Sequence, residues 1–331
     1  MKESSELISI VLPVFNEAEG IENTIDTLEK FITNQPQQFE LIFVDDGSKD
    51  KSAELISDAS AFHNNIKLVQ FSRNFGHQLA ITAGIRYTRG EAVIVMDADL
   101  QDPPAVIVDM ISKWHEGFNV VYGKRVSRDG ESWFKKLTAA VFYRILQKIT
   151  SVNIPLDTGD FRLMDRQVVR ELQKMNEPDP YVRGMVSWVG FKQTKVEYER
   201  QERIAGYSKY PLSKMIRLAM DGVTSFSSFP LQMANWLGSA SIIFSMGYLL
   251  VSLLTTMNTV HFAVFSLFLM VGVILLSLGM IGAYLYRIFE ASRNRPLYIV
   301  SKTSGFHPSK KTNGQSSTYY TTTVRPRTNT Y

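Results

Sequence analysis

Two apolar spans in the second half limit what this chain can become. Leu231 to Thr256 and Phe262 to Tyr286 contain no Lys, Arg, Asp or Glu. Each is long enough to cross the hydrocarbon core of a bilayer as a helix. Buried core helices are the competing reading, but uncharged runs this long are rare in soluble cores. The connector Met257-Asn258-Thr259-Val260-His261 has neither Lys nor Arg, whereas Lys209, Lys214 and Arg217 precede the first span and Arg287, Arg293 and Arg295 follow the second. The positive-inside rule therefore expects a multi-pass hairpin in the cell membrane, with both termini cytoplasmic. Such a hairpin is too short to form a transporter pore by itself. Tyr210 to Phe229 sets Leu212, Met215, Ile216, Leu218 and Ala219 beside Lys214 and Arg217. That pattern suits an interfacial amphipathic helix, with an ordinary surface helix as the alternative. The expected divisions are a cytoplasmic domain over 1–208, a juxtamembrane segment over 209–230, the hairpin over 231–287 and a cytoplasmic tail over 288–331. The tail, rich in Ser, Thr, Lys and Asn, is expected to be largely disordered after 300.

The first 200 residues carry a different pattern. Short apolar runs at Ile8–Leu12, Leu41–Val44, Ile66–Phe71, Ala92–Met96 and Asn119–Gly123 read as strands. Helical segments separate them. Ala18 to Ile32 places Ile21, Ile25, Leu28 and Phe31 or Ile32 on one face, and Ser52–Ala61 and Gly76–Tyr87 read likewise. Pro103 and Pro104 open a further helix reaching about Gly117, since proline is tolerated in a first turn. This alternation predicts an α/β domain with a mostly parallel sheet and helices on both faces. No cysteine is present, so thiolate and disulfide chemistry are excluded. The formal charge of +4 comes with no nucleic-acid recognition motif, and nucleic acid is not an expected partner. Met1 to Glu6 is polar and the next apolar run is short, so no secretory signal is expected.

Three strands end in groups that can do chemistry. Ala92-Val93-Ile94-Val95-Met96 runs into Asp97-Ala98-Asp99-Leu100-Gln101, then Asp102-Pro103-Pro104. Two carboxylates one residue apart at a strand end make a compact hard-oxygen site, suited to Mg²⁺ or Mn²⁺ carrying a nucleotide diphosphate. Leu41–Val44 ends in Asp45-Asp46-Gly47-Ser48, and Ile8–Leu12 empties into Pro13-Val14-Phe15-Asn16-Glu17. Open α/β sheets bind ligands outside the carboxyl ends of their strands, so these loops could line one crevice. The plainer reading makes Asp45, Asp46 and Asn16 turn formers and helix caps. It explains less well why all three junctions are acidic.

In their order and spacing, these three motifs resemble the family 2 glycosyltransferases. The likeness is strongest to those acting on polyprenyl phosphates, which include dolichol-phosphate mannose synthases and bactoprenol glucosyltransferases. It spans roughly residues 7 to 300. The resemblance implies a GT-A-type nucleotide-sugar-binding fold and an inverting transfer from a nucleoside diphosphate sugar to polyprenyl (undecaprenyl) phosphate at the cytoplasmic membrane face. UDP-glucose is the first choice of donor, ahead of other UDP-hexoses. It implies Asp97, Asp99 and Gln101 at the metal, and Pro13, Val14, Asn16, Glu17, Asp45 and Asp46 around the nucleotide. Arg125, in Gly123-Lys124-Arg125, would neutralise phosphate, with a plain surface charge as the alternative. Asp157-Thr158-Gly159-Asp160 reads as a polar turn into the strand-like Phe161-Arg162-Leu163-Met164, and the family's corresponding segment lies beside the sugar; Asp160 is thus the acid nearest the acceptor. Arg200 to Lys209 is similar to the family's mobile acceptor loop. There Arg203 and Lys209 would hold phosphate oxygens and Gly206 would supply flexibility. A basic patch attracted to anionic lipid is the alternative.

The implied mechanism is a single displacement. Metal and Arg203 stabilise the departing diphosphate while an acceptor oxygen attacks the anomeric carbon. A phosphate acceptor is already ionised at neutral pH, so Asp99, Arg203 and Asp160 act chiefly by positioning and electrostatics. Whether Asp160 is a true general base stays open. The partners implied are a UDP-sugar, polyprenyl phosphate and the bilayer; a homo-oligomer also stays open. Other readings fit less well. A membrane-bound polysaccharide synthase would carry Gln-x-x-Arg-Trp, yet none of Trp114, Trp133, Trp188 and Trp236 follows an Arg. A nucleotidyltransferase wants a Gly-rich loop near the start, and residues 7 to 20 hold only Gly20. A dinucleotide oxidoreductase wants Gly-x-Gly-x-x-Gly after its first strand. A non-catalytic membrane scaffold would have no need of acids at every expected position.

Overall fold

The computed structural model describes residues 6–126, 158–177, 179–199, 240, 241, 243, 247, 259–293 and 295–306. Its centre is an eight-stranded sheet. The strands are β1 (Leu7–Val14), β2 (Gln38–Asp45), β3 (Ile66–Phe71), β4 (Ala92–Val95), β5 (Val120–Arg125), β6 (Thr158–Asp165), β7 (Gln193–Tyr198) and β8 (Val300–Ser304). They lie in the order β7-β5-β6-β4-β1-β2-β3-β8. Pairing is parallel for β1–β2, β1–β4, β2–β3 and β5–β7, and antiparallel where β6 meets β4 and β5 and where β8 meets β3.

Strand periodicity sorts the apolar residues onto two faces. On one, Ile8, Ile10 and Leu12 of β1 pack with α1 (Ile21–Thr33), α2 (Ser52–Phe62) and α4 (Val106–His115), through Ile21, Ile25, Leu28, Ile56, Ile107 and Met110. On the other, Val11, Val44, Val93 and Val95 meet α3 (His77–Tyr87), α5 (Arg166–Lys174) and α6 (Val182–Trp188), through Ala80, Ile81, Val168, Leu172 and Met185. Full burial of each large aliphatic side chain stabilises the domain by about 1.5–3 kcal/mol. The expected α/β sandwich with helices on both faces is therefore observed. One buried ion pair crosses the sheet: Lys67 donates to Glu40, which also accepts from Ser9 Oγ and the Arg89 N–H. Burial works to raise the Glu40 carboxyl, but those donors outweigh it and hold it below the ordinary glutamate value.

Several boundaries differ from expectation. Helix α1 begins at Ile21, not Ala18, because the Gly20 and Ile21 N–H groups both donate to the Glu17 carbonyl and hold 17–20 in a turn. The prolines precede α4 in a turn of their own, their carbonyls accepting from Val106 and Ile107. Thr158 to Asp160 form strand, not turn, since β6 extends back to pair Thr158 with Lys124.

The start of the tail is more ordered than expected. Val300–Ser304 forms β8 against β3, the stacked rings of Tyr298 and Phe71 lie 5.0 Å apart, and Phe306 packs on Tyr87. An uncovered β3 would present a row of unpaired backbone groups, which a short polar strand can cover without needing an apolar sequence. The folded domain thus takes in residues on both sides of the apolar stretch. Helix α7 (Thr259–Ser292) absorbs Thr259-Val260-His261, expected as connector, and its window Leu269–Tyr286 has a mean hydropathy of 2.1. It is long and apolar enough to cross a membrane. Of the expected span Leu231–Thr256, only residues 240, 241, 243 and 247 are described, all helical. The segment Tyr210–Phe229 lies outside the described residues.

Candidate active site

The carboxyl ends of β1, β2 and β4 lie side by side because β1 pairs with both neighbours. Their loops are stitched together. Asn16 adopts φ 53°, a left-handed conformation uncommon outside glycine. Its N–H donates to Ser48 Oγ at 2.9 Å, and its side-chain oxygen accepts from the Lys49 N–H at 2.8 Å. The Glu17 N–H donates to Ser52 Oγ at 2.9 Å. Asp45 is buried and accepts from the Ser48 N–H; burial, with the Asp50 charge adding to it, pushes its carboxyl up. Asp46 is also buried. Its oxygens accept from the N–H groups of Phe75 (2.7 Å) and Gly76 (3.0 Å), which fold the turn into α3. Pro13 and Val14 are buried in β1, and the Val14 carbonyl accepts from the Asp46 N–H. These residues are turn formers, as the plainer reading expects, but not helix N-caps: those positions are Gly20, Lys51 and Gly76.

The loop after β4 is pinned from α1, where Thr24 Oγ1 donates to the Ala98 carbonyl at 2.7 Å. Leu100 is left-handed, at φ 54°, and the Gln101 N–H donates to Asp99 at 3.2 Å. Two strained non-glycine residues, one in each of two neighbouring loops, fit a site held in a fixed shape. Burial pushes the Asp97 carboxyl up to about 6, although part of the side chain still meets solvent. His77 opposes this, while the charges of Asp160, Asp102 and Asp99 add to it. Among the described residues, no three His, Cys, Asp or Glu side chains are grouped to hold a metal unaided. Asp97 and Asp99 still fit one in chemistry. They offer hard oxygen donors, and their mutual repulsion is what a divalent cation relieves, with further ligands supplied by a diphosphate.

Strand β6 runs antiparallel beside β4, which brings Asp160 to the same end of the sheet. Its carboxylate sits in a cage. Arg183 donates through Nε (2.8 Å) and Nη2 (3.2 Å), Gln78 donates at 3.2 Å, and His77 Nε2 lies at 3.2 Å. Gln78 also accepts from the Val182 N–H at 3.0 Å, locking α3 to α6. Burial would raise the Asp160 carboxyl, but the Arg183 charge and the His77 and Arg183 bonds hold it well below the usual range. A carboxylate so stabilised is a poor proton acceptor. His77 Nε2 is also 3.8 Å from Asp97 and so bridges the two acids. Burial would lower the His77 pKa, but the bond to Asp160 and the Asp97 charge raise it. Arg162 is buried behind Asp160, donates to the Gly159 carbonyl and is pushed down to about 10 by burial; its Nε has no hydrogen-bond partner.

Arg125 ends β5 beside this cluster, its Nη2 3.6 Å from Asp102 and its Nε donating to Tyr198 Oη at 3.3 Å. The structure therefore gathers Asn16, Glu17, Asp45, Asp46, Asp97, Asp99, Gln101, Asp160 and Arg125 at one end of the sheet. Arg203 and Lys209 lie outside the described residues. Sequence reasoning missed His77, Gln78, Arg162, Arg183 and Tyr198. Only Arg162, a charge inside an apolar strand, left a signal that could have found it.

Several known proteins are similar to this chain. The model of the glycosyl transferase family 2 matches residues 9–173. The uncharacterized glycosyltransferase YkcC of Bacillus subtilis is 50% identical over 90% of this chain and 94% of its own length. The SfII prophage-derived bactoprenol glucosyl transferase of Shigella flexneri is 38% identical over 91% of this chain and 99% of its own. Among solved structures, mannosyl-3-phosphoglycerate synthase from Rubrobacter xylanophilus overlaps 66% of this chain and 73% of its own, at 19% identity and a TM-score of 0.45. That likeness is too slight to build on.

Proposed function

The chain belongs to glycosyl transferase family 2, among the glycosyltransferases of polyprenyl-phosphate type, and from that premise we propose that it moves a hexose from UDP-glucose or another UDP-sugar to polyprenyl phosphate at the cytoplasmic face of a membrane. One observation carries this reading. The acidic loop around Asp97 and Asp99 meets His77, 3.8 Å from Asp97, with Arg183 and Arg125 at the same sheet end. The acids suit a metal-bound donor diphosphate and the basic side chains an anionic acceptor. The relatives named bactoprenol glucosyl transferase support the lipid phosphate.

In this reading Asn16, Glu17, Asp45 and the backbone at Pro13 and Val14 frame the nucleotide, while Asp46 shapes the turn behind it. Asp97 and Asp99, with Gln101 close by, would hold Mg²⁺ or Mn²⁺, which when bound neutralises the leaving diphosphate. An oxygen of the ionised acceptor phosphate attacks the anomeric carbon. The bond to the UDP oxygen breaks, and the configuration inverts. No proton need leave the acceptor, which accords with an Asp160 too well satisfied to take one. Asp160 instead anchors Arg183 and His77 at the crevice. Arg125, Arg203 and Lys209 supply positive charge to phosphate oxygens.

The sheet supports this membrane placement. Strand β7 precedes the apolar stretch and β8 follows it, in one folded sheet. A folded sheet lies on one side of a bilayer, which favours an even number of crossings by the chain between. In this reading helix α7 would supply one crossing and the apolar run Leu231–Thr256 of the sequence the other. The test is to incubate the full-length protein in membranes with Mn²⁺, polyprenyl phosphate and a panel of radiolabelled nucleotide sugars. Labelled lipid is expected from UDP-glucose or another UDP-hexose. A complete absence of labelled lipid across the panel would overturn the reading.

A further inference from the structure

We propose that Tyr198 and Asp102 are positioning residues that aim the Arg125 guanidinium at a phosphate in the site, coupling the Asp97–Asp102 loop to the strand that leads into the basic segment 200–209. The inference rests on the phosphate role of Arg125 given above. Tyr198 is the last residue of β7 and its ring is buried, edge-on to Phe161 at 5.6 Å between centroids. It lies over Gly123, where a Cβ would come within 2.7 Å of the ring. A side chain at 123 would therefore push the tyrosine out. From that slot the hydroxyl donates to Asp102 and accepts from Arg125 Nε.

The division of partners matters. The carboxylate of Asp102, 1% exposed, takes its short bond from the tyrosine. Arg125 Nη2 stands 3.6 Å from it, near enough for charge attraction but beyond a good hydrogen bond. The guanidinium is thus oriented without being consumed, and 18% of the side chain remains exposed. It lies across β6 at Gly159, where a Cβ would come within 3.0 Å of Nη2. The two glycines, the tyrosine and the buried aspartate together constrain where Arg125 lies, with Asp102 and Tyr198 on one side and Gly159 on the other. Asp102 closes the Asp97 loop, so donor binding that settles the loop also settles Arg125.

Gly159→Ala gives a test that touches neither Tyr198 nor Asp102. The atom its methyl group meets is the far end of a flexible side chain, so the guanidinium shifts and the strand stays. Full-length wild type, Arg125→Ala, Tyr198→Phe, Gly159→Ala and the double variant Arg125→Ala/Gly159→Ala are compared in UDP titration, KM for polyprenyl phosphate, kcat and melting temperature. Tyr198→Phe and Gly159→Ala should each weaken the same phosphate interaction about tenfold, and Gly159→Ala should add nothing once Arg125 is gone. A change in acceptor KM alone assigns the lipid phosphate; a change in UDP affinity alone assigns the donor. If Arg125→Ala is impaired while the other two single variants match wild type, or merely melt earlier, the positioning role is refuted. If Arg125→Ala handles both phosphates normally, the role of Arg125 falls and this inference with it. Transfer by the wild type would still stand as separate support for the proposed reaction.

Discussion

Replacing Arg183 by Met tests whether the Asp160 cage is held by charge. Arg183 makes two charged hydrogen bonds to a carboxylate that is 9% exposed, and is itself 23% exposed. Removing one partner of a fully buried ion pair costs about 3–5 kcal/mol. Here His77 and Gln78 remain on Asp160 and Arg183 is partly solvated, which reduces the expectation to about 2–3 kcal/mol at neutral pH. For a domain of this size that lowers the melting temperature by roughly 4–12 °C. The pH dependence is the sharper test. Asp160 is held well below its ordinary value in the folded state. Its stabilisation is therefore present above the unfolded value of about 3.9 and lost as pH falls through the depressed folded value. Arg183→Met raises that folded value, so the gap from wild type should be full at neutral pH, shrink as pH falls below the variant's value, and vanish only below the depressed wild-type value. Tryptophan-fluorescence melts of the full chain in detergent, repeated with Asp160→Asn and the double variant, measure both effects. The double variant should lose less than the sum of the singles by about 1–2 kcal/mol. A gap independent of pH, together with an additive cycle, would show that Arg183 acts by packing alone.

Other consequences can be checked on the same protein. EDTA should abolish transfer, and Asp99→Asn should lose most activity while remaining folded; full activity in EDTA would remove the metal from the account. Asp46→Ala frees the N–H groups of Phe75 and Gly76, so UDP affinity should fall about tenfold, and less in Asp46→Asn, which keeps one acceptor oxygen. Arg203→Ala should instead slow transfer far more than it weakens UDP binding; identical defects for the Asp46 and Arg203 variants in both assays would undo this division of the site. The chain has no cysteine, so Asn258→Cys and Ser301→Cys report topology cleanly. An impermeant maleimide applied outside intact cells should label only the first, and equal labelling would contradict a crossing by α7.

The parts of the fold legible in the sequence were those encoded locally. Buried strands such as Leu41–Val44 announce themselves by apolar runs, and α1 by the spacing of Ile21, Ile25 and Leu28. The acids at the strand ends were legible for the same reason, because a motif of adjacent residues survives without a structure. The cage around Asp160 was not. Its members at 77, 78 and 183 come together only through the crossing of α3 and α6 over β6. Strand β8 was hidden by composition: Ser301, Lys302 and Thr303 are exposed on an outer strand and need only backbone pairing with β3. Thr158 to Asp160 read as a turn because Gly and Asp favour turns, but pairing with β5 and the cationic cage outweigh that local preference.

The central claim is that the acceptor is a lipid phosphate, and acceptor discrimination tests it most directly. Full-length protein in membranes is given one labelled UDP-hexose and, in parallel, polyprenyl phosphate, the corresponding polyprenol without phosphate, and a water-soluble alcohol. The account predicts transfer to polyprenyl phosphate alone, giving a product with one added hexose and an inverted anomeric configuration. Equal transfer to either alcohol, or a product carrying a growing sugar chain, would contradict it.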